Sequence, residues 1–144
     1  MKADAQTEAA VIAALEQFQH AAEQRDLESF LAACVPDADI VFIGTGADEK
    51  RVGKAEIQRQ LERDISQSER LSLDFDWHMV SAGGSVAWIA TTGMIHAQVA
   101  GQSVDLPYRL TGVLEHRGDQ WLWVQMHASV PVAGQTEGQS FPAS

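Results

Sequence analysis

The stretch QWLWVQMHASVP, residues 120–131, predicts the last β-strand of a sheet. Successive side chains of a strand point to opposite faces. Trp121 and Trp123 are therefore expected on one face, and Val124 and Met126 on the other. Large apolar side chains on both faces indicate a strand that is covered on both sides.

Three earlier stretches show the same period of two. The stretch RLSLDFDWHM, residues 70–79, alternates cleanly, and residues 85–99 and 103–116 predict two more strands separated by short turns. Gly93 indicates a bulge or a bend, and Pro107 indicates a sheet edge or a bulge. Five apolar residues of the first stretch are expected to share one face: Leu71, Leu73, Phe75, Trp77 and Met79.

The first half of the chain predicts three helices and one short strand. Apolar side chains recur at helical spacing over residues 8–24, and Asp26 is placed to cap a second, short helix that Pro36 ends. Residues 38–43 predict a buried strand, and residues 44–53 predict a loop. A third helix is marked by the spacing of Ile57, Leu61 and Ile65. This order predicts an α+β fold with three N-terminal helices packed on a strongly curved antiparallel sheet.

The composition is that of an acidic chain of single-domain size. The 144 residues carry a formal net charge of −10, which opposes binding to nucleic acid and to anionic membranes. Cys34 is the one cysteine, and no stretch approaches the roughly 20 apolar residues of a membrane span. We therefore expect a cytoplasmic protein with one domain over residues 1–131 and a flexible tail over residues 132–144.

The two-faced apolar sheet predicts a partner. The three helices can cover one face, and no further helix is predicted to cover the other. A second copy of the chain, packed sheet to sheet around a two-fold axis, is the simplest cover. We expect a homodimer.

Three stretches resemble the nuclear transport factor 2-like superfamily, and within it the SnoaL-like and ketosteroid isomerase-like proteins. They are DADIVFIGTGADEKRVGKAEI at residues 37–57, GGSVAWIA at residues 83–90, and YRLTGVLEHRGDQWLWVQMHASVP at residues 108–131. The resemblance implies a cone-shaped α+β fold with a concave apolar cavity. It does not imply one chemistry, because this superfamily holds isomerases, cyclases, dehydratases and non-catalytic domains.

The resemblance to ketosteroid isomerases does not extend to their catalytic groups. Aligned with that family, Phe42 replaces the aspartate that moves the proton, and Phe18 replaces the tyrosine that donates to the oxyanion. Thr111 falls near the place of a second aspartate. Phenylalanine can neither move a proton nor donate a strong hydrogen bond. The ketosteroid isomerase reaction is therefore not expected, and Asp39 or Glu49 would have to supply a carboxylate with a raised pKa.

A ligand pocket is expected inside the cone. Arg109 is a lone cation within a strand, and on an inward face it would clamp an anionic group of the ligand. The alternative is an internal ion pair with Asp39 or Glu49, or a side chain that reaches solvent. The predicted pocket residues are Phe18, Phe42, Arg109, Thr111 and Met126.

Two polar patterns are better explained by structure than by chemistry. His127 and Ser129 lie roughly 7 Å apart on one strand face, which is too far for a nucleophile and its base. Asp74, Asp76 and His78 alternate on a polar strand face, so we expect no metal site there. No cofactor motif is present.

The sequence thus predicts a protein that binds a small, partly apolar metabolite in a cone-shaped pocket. One hypothesis is a cofactor-free enzyme that performs isomerisation, cyclisation or dehydration by acid/base chemistry. The alternative is a non-catalytic dimeric binding or assembly module.

Overall fold

A computed structural model, which describes residues 1–143, shows three helices that begin and end close to the predicted places. Helix α1 spans Ala5–Gln24, α2 spans Leu27–Ala32 and α3 spans Lys54–Gln67. Helix α1 begins before the predicted residue 8 because Asp4 accepts a hydrogen bond from the Thr7 amide at 2.7 Å. The predicted cap of α2 is confirmed, since the Asp26 carboxylate accepts from the Ser29 amide at 3.1 Å.

Six strands form one sheet in the order β2-β1-β6-β5-β4-β3. The last four make the predicted antiparallel meander, whereas β1 pairs with β6 in parallel. The short β2 lies in the segment predicted to be a loop, where it folds back on β1 as an antiparallel edge. Their bounds are β1 Val41–Ile43, β2 Lys50–Val52, β3 Arg70–Gly83, β4 Val86–Val99, β5 Gln102–Arg117 and β6 Gln120–Ser129.

The helices cover one face of the sheet, called here the inner face, and the opposite side is the outer face. Helix α1 packs across β3 and also contacts β4 and β6. The α+β cone is therefore as predicted, with the hydrophobic core between the helices and the inner face. Its largest fully buried side chains are Trp123, Ile40, Ile57, Ile89 and Leu110.

A β-bulge in β3 changes which apolar side chains face the helices. The β3/β4 register shifts between Phe75 and Trp77, so one extra residue of β3 stands opposite Gly93. A Cβ atom at Gly93 would lie 1.8 Å from the Asp74 carbonyl oxygen, so only glycine fits. The predicted bulge at Gly93 is confirmed. The prediction that Trp77 shares a face with Phe75 is wrong, because the extra residue reverses the alternation.

A second bulge, in β6, has the opposite effect on another tryptophan. The β5/β6 register shifts between Val113 and Leu114, so that Val124 is the extra residue of β6. Trp123 therefore shares the inner face with Met126 and is fully buried. The predicted placement of Trp123 opposite Met126 is wrong for this reason.

The region after β6 contains no helix or strand as far as residue 143. The predicted tail covers residues 132–144, of which Ser144 lies outside the described residues. Within residues 1–143, no helix has the length and apolar character needed to cross a membrane.

Candidate functional site

A cavity of about 110 Å³ opens between α3, the aromatic residues of α1 and α2, and the edge of the sheet at β1 and β6. Its apolar wall is a cluster of three phenylalanines. The centroid of the Phe30 ring lies 5.3 Å from the ring centroid of Phe18 and 5.6 Å from that of Phe42. Such edge and tilted packing stabilises a rigid wall. The remaining lining comprises apolar Ile43, Ile57, Leu61, Met126 and Ala128, and polar Glu49, Arg51, Gln60, Asp64 and Tyr108, with Gly44 beside them.

The polar end of the cavity is a hydrogen-bonded acidic pair. Gln60 is 9% exposed, and its Nε2 donates to Glu49 Oε1 at 3.1 Å and to Asp64 Oδ1 at 2.7 Å. The Arg51 Nε donates to Gln60 Oε1 at 3.0 Å. A guanidinium is only a donor, so Arg51 fixes the oxygen of the Gln60 amide and turns its NH₂ group towards both carboxylates.

Asp64 is the group in this cavity best placed to carry a proton. Burial raises the pKa of its carboxyl, and the nearby Glu49 charge raises that pKa further. The Gln60 hydrogen bond and the Arg63 and Arg51 charges act in the opposite direction without reversing the shift. A carboxyl group with a raised pKa holds its proton more tightly than an exposed carboxyl does, and it can exchange that proton with a bound ligand.

Tyr108 places a phenol at the same end of the cavity. It is buried, and its ring centroid lies 6.1 Å from that of Phe75. Burial, and then the charges of Asp64 and Glu49, raise the pKa of its hydroxyl. The hydroxyl therefore keeps its proton at neutral pH and can serve as a hydrogen-bond donor.

Of the five predicted pocket residues, Phe18, Phe42 and Met126 line this cavity. Arg109 and Thr111 do not line it, because the alternation of β5 turns Tyr108 and Leu110 inward and their neighbours outward. The expected ion pair of Arg109 with Asp39 or Glu49 is also absent from the described residues. Arg109 is exposed, and its Nε donates to Ser129 Oγ at 3.0 Å.

His127 and Ser129, near the end of β6, lie on the outer face. Ser129 stands opposite Arg109 of β5, and the exposed His127 stands opposite Thr111 of β5. Thr111 itself lines a shallow outer groove beside Trp77. These residues lie on the other side of the sheet from the cavity.

The sequence interpretation found one member of the acidic pair and missed the other. Glu49 lines the cavity, whereas Asp39 is exposed and does not line it. Gln60 and Asp64 were missed, although a signal was present. They lie at helical spacing from Ile57 in α3, so they are polar residues on the apolar stripe of an amphipathic helix.

A separate carboxylate–imidazole cluster lies on the outer face. His96 Nε2 lies 2.9 Å from Asp74 Oδ2, and His96 Nδ1 lies 2.7 Å from Asp105 Oδ1. The Asp105 hydrogen bond and the Asp74 contact raise the pKa of His96. Residues 1–143 contain no group of three or more His, Cys, Asp or Glu side chains arranged to hold a metal ion.

Comparison with known proteins identifies the family. A family model described as a SnoaL-like domain matches residues 11–133. The chain belongs to the SnoaL-like domain family. No curated protein matches this SnoaL-like chain in sequence.

Solved structures place this SnoaL-like domain in the nuclear transport factor 2-like (NTF2-like) fold. A "putative dehydratase from the NTF2-like family" of Streptomyces avermitilis is 22% identical with a TM-score of 0.79, over 87% of this chain and 96% of that one. An NTF2-like superfamily protein of Salmonella enterica serovar Typhimurium is 15% identical with a TM-score of 0.83, over 96% and 100%.

A third solved structure carries a different description. A "putative calcium/calmodulin dependent protein kinase II association domain" of Xanthomonas campestris is 20% identical with a TM-score of 0.76, over 85% of this chain and 86% of that one. Similarity at these identities shows the fold alone.

Proposed function

We propose that this SnoaL-like protein binds a small, partly apolar metabolite in the inner cavity and moves a proton on it without a cofactor. The observation that carries the proposal is Asp64, a half-buried carboxyl with a raised pKa, at the polar end of a cavity walled by phenylalanines. Perturbed carboxyl groups in concave apolar sites are typical of acid/base catalysis.

The volume of the inner cavity limits the size of the ligand. The cavity of about 110 Å³ is smaller than the roughly 150 Å³ of an engineered cavity that admits benzene. The part of a ligand that the cavity encloses without moving its walls is therefore no larger than one small ring, and the rest of the ligand would extend through the opening. An apolar ring or short chain would contact Phe42 and Phe18, with its oxygen at the polar end.

The groups at the polar end fit an isomerisation or a dehydration. Gln60 holds Asp64 beside Glu49, and the Asp64 carboxyl, whose pKa is raised, can take up a proton from a bound ligand and return it. Tyr108 can donate a hydrogen bond to a carbonyl or hydroxyl oxygen of the ligand. The carboxylate that Phe42 lacks would thus come from α3 and the β1–β2 loop. A dehydration is also what the name of the similar Streptomyces protein indicates for that protein.

Methyl NMR of the methionines tests binding with an internal control. Met126 lines the cavity, whereas Met79 is 62% exposed on the outer face. Cyclohexanone, used as a small probe with an apolar ring and one oxygen, is expected to shift the ¹³C-methyl signal of Met126 and not that of Met79. Equal shifts of both signals would indicate non-specific apolar binding and contradict the proposal.

Two variants separate binding from proton transfer. Ala128→Leu adds side-chain volume at the cavity wall and is expected to abolish the Met126 shift. Asp64→Asn keeps the shape but removes the ionisable group, so the probe should still bind. Exchange of the α-hydrogens of cyclohexanone with deuterated water, followed by NMR, should be accelerated by wild type and not by Asp64→Asn. Equal acceleration by both proteins would contradict the catalytic part.

A second candidate, an assembly role, is favoured by the outer face. Trp77, Met79 and Trp88 are 48%, 62% and 38% exposed, and they line one groove of about 410 Å³. We propose that a second copy covers this groove, since adjacent exposed apolar side chains of this size are unusual on a monomer. The name of the similar Xanthomonas domain points to association in that protein.

Sedimentation equilibrium tests the dimer. Met79→Asp places a charge in the groove and is expected to convert a dimer to a monomer. Val132→Asp is the matched control, because Val132 is 59% exposed and lies after β6. A monomeric wild type at about 100 µM, where interfaces of micromolar affinity are occupied, would contradict the dimer.

We also infer a cytoplasmic location from the single cysteine. Cys34 is buried, and burial raises the pKa of its thiol to about 12, so it is not a reactive thiolate. Recovery of the protein in the cytoplasmic fraction of lysed cells would support this inference, and recovery in another fraction would contradict it.

A further inference from the structure

A second concave site lies on the solvent side of α3, outside the cavity. This groove, of about 300 Å³, is lined by Arg51, Glu56, Arg59, Gln60 and Arg63. Three guanidinium groups thus surround one depression in a protein whose net charge is −10. The groove and the cavity are separated by Arg51 and Gln60, which contribute to the lining of both.

The cations of the chain are concentrated at this place. The sequence contains ten Lys and Arg residues, and five of them lie within residues 50–63: Lys50, Arg51, Lys54, Arg59 and Arg63. Three of these cations, Arg51, Arg59 and Arg63, line the groove itself, and like charges that converge repel one another. Asp48, Glu49 and Glu56 offset part of this charge, and a bound anion would offset more of it.

Two of the three arginines of the groove contact acidic side chains. Arg63 makes hydrogen bonds of 2.8 Å and 3.0 Å to the exposed carboxylate of Asp48, and one of 3.2 Å to Glu49 Oε1. Arg51 lies 3.8 Å from the Asp48 carboxylate and uses its Nε on Gln60. The Glu56 carboxylate accepts from the Val52 amide at 2.7 Å.

Arg59 is the most available of the three. It is exposed on α3, four residues before Arg63 and on the same side of the helix. No ion pair joins it to an acidic side chain within residues 1–143. Its guanidinium is therefore free to make a bidentate contact with an anion.

We propose that this groove binds the phosphate or carboxylate group of a small soluble molecule. Planar guanidinium groups match both anions, and the groove has room for a group of that size. The overall negative charge of the protein disfavours an extended polyanion and favours a small ligand. This site is separate from the cavity and does not depend on whether the cavity binds a metabolite.

Calorimetric titration with inorganic phosphate tests the site in matched variants. Arg59→Gln removes the free guanidinium and is expected to weaken binding about fivefold, the effect of one charge pair at about 4 Å in water. Arg70→Gln removes the same charge from an exposed arginine at the start of β3, so its effect should be much smaller. Equal effects of the two variants would overturn the proposal.

A variant with the opposite expected effect makes the test sharper. Asp48→Asn removes the carboxylate that competes for Arg63, so phosphate should bind several-fold more tightly. Both variants lie at exposed side chains, and circular dichroism of each should match wild type. Unchanged or weaker binding by Asp48→Asn would contradict a site in which Asp48 competes with the anion, and would count against the proposal.

The source of the anion is resolved by three probes. Methyl phosphate and acetate represent small soluble phosphates and carboxylates, and vesicles containing phosphatidylglycerol represent a lipid headgroup. Binding of either soluble probe that Arg59→Gln weakens supports the proposal. Binding to vesicles without binding of either soluble probe would overturn it in favour of a membrane surface.

Discussion

The two faces of the sheet are built from the same strands and differ in how their polar groups are satisfied. On the inner face, Asp64 and Glu49 are held by Gln60 beneath α3, in a cavity where burial raises the pKa of Asp64. On the outer face, Asp74 and Asp105 flank His96 in contact with solvent. Water screens the exposed outer cluster more than the partly buried inner pair.

The apolar side chains differ between the faces in the same way. Trp123 is fully buried on the inner face, whereas Trp77 is 48% exposed on the outer face. The inner tryptophan contributes to the core, and its ring centroid lies 6.5 Å from that of Phe18. The outer tryptophan keeps about half of its surface exposed. A tryptophan of this sheet therefore joins the core or stays exposed according to which face the helices cover.

The largest effect is expected from truncating the inner tryptophan. Trp123→Ala should lower the free energy of unfolding by about 3–5 kcal/mol, because it removes a large buried side chain and leaves a void. Trp77→Ala, at low protein concentration, should cost about 1 kcal/mol or less. Urea denaturation of both variants measures the difference. A large cost for Trp77→Ala that grows with protein concentration would instead show that the outer face is buried in an assembly.

A smaller effect is expected at Asp64, and its sign depends on pH. The folded state raises the pKa of Asp64 above its unfolded value of about 3.9, so the folded protein binds this proton more tightly. The free energy of unfolding therefore falls as the pH rises from the pKa of Asp64 in the unfolded chain through its raised pKa in the folded protein. Asp64→Asn should make the protein more stable than wild type at pH 7 and not at pH 3.

The control for Asp64 is an acidic residue in the turn before β6. Asp119 is exposed, so Asp119→Asn should give no comparable gain at pH 7. Chemical denaturation at the two pH values measures both variants. If Asp64→Asn is less stable than wild type at pH 7, the carboxylate stabilises the cluster and the proton-transfer role loses its support.

The smallest effect is expected at His96. Its pKa is raised in the folded protein, first by the Asp105 hydrogen bond and then by Asp74, so the charged pair stabilises the fold below the unfolded pKa of about 6.5. That contribution is lost as the pH rises through the raised folded value. His96→Gln should reduce the pH dependence of the urea midpoint. His127 is an exposed histidine of the same face, and His127→Gln should leave that pH dependence unchanged. Identical pH profiles for wild type and His96→Gln would show that water screens the pair fully.

Much of the fold follows from local patterns, and the candidate site follows from them only in part. Apolar spacing predicted three helices, and alternation predicted the four strands of the meander. Phe18, Phe42 and Met126 were placed in the pocket from a resemblance and do line the cavity. Asp64 was missed because a polar residue in a helix is ordinarily solvated, and only the approach of Glu49 and Gln60 makes it special.

The face of each side chain could not be derived by counting residues. One extra residue in β3 turns Trp77 outward, and one in β6 turns Trp123 inward. Arg109 was assigned to the pocket, although β5 directs it to Ser129 on the outer face. A shift of one residue reverses a strand face, so alternation predicts faces only between bulges.

The sequence by itself determined the three helices, five of the six strands, their order and the acidic charge, because helix and strand periods and capping residues act over a few neighbours. The short β2 lies in a segment that the sequence predicted to be a loop. It also contained the cluster of cations within residues 50–63. The tertiary structure alone decided the parallel pairing of β1 with β6, the contact of Gln60 with Glu49 and Asp64, and the groove of Arg51, Arg59 and Arg63. Burial, pKa and like-charge repulsion depend on distances between segments that are remote in sequence, and only the packed chain sets those distances.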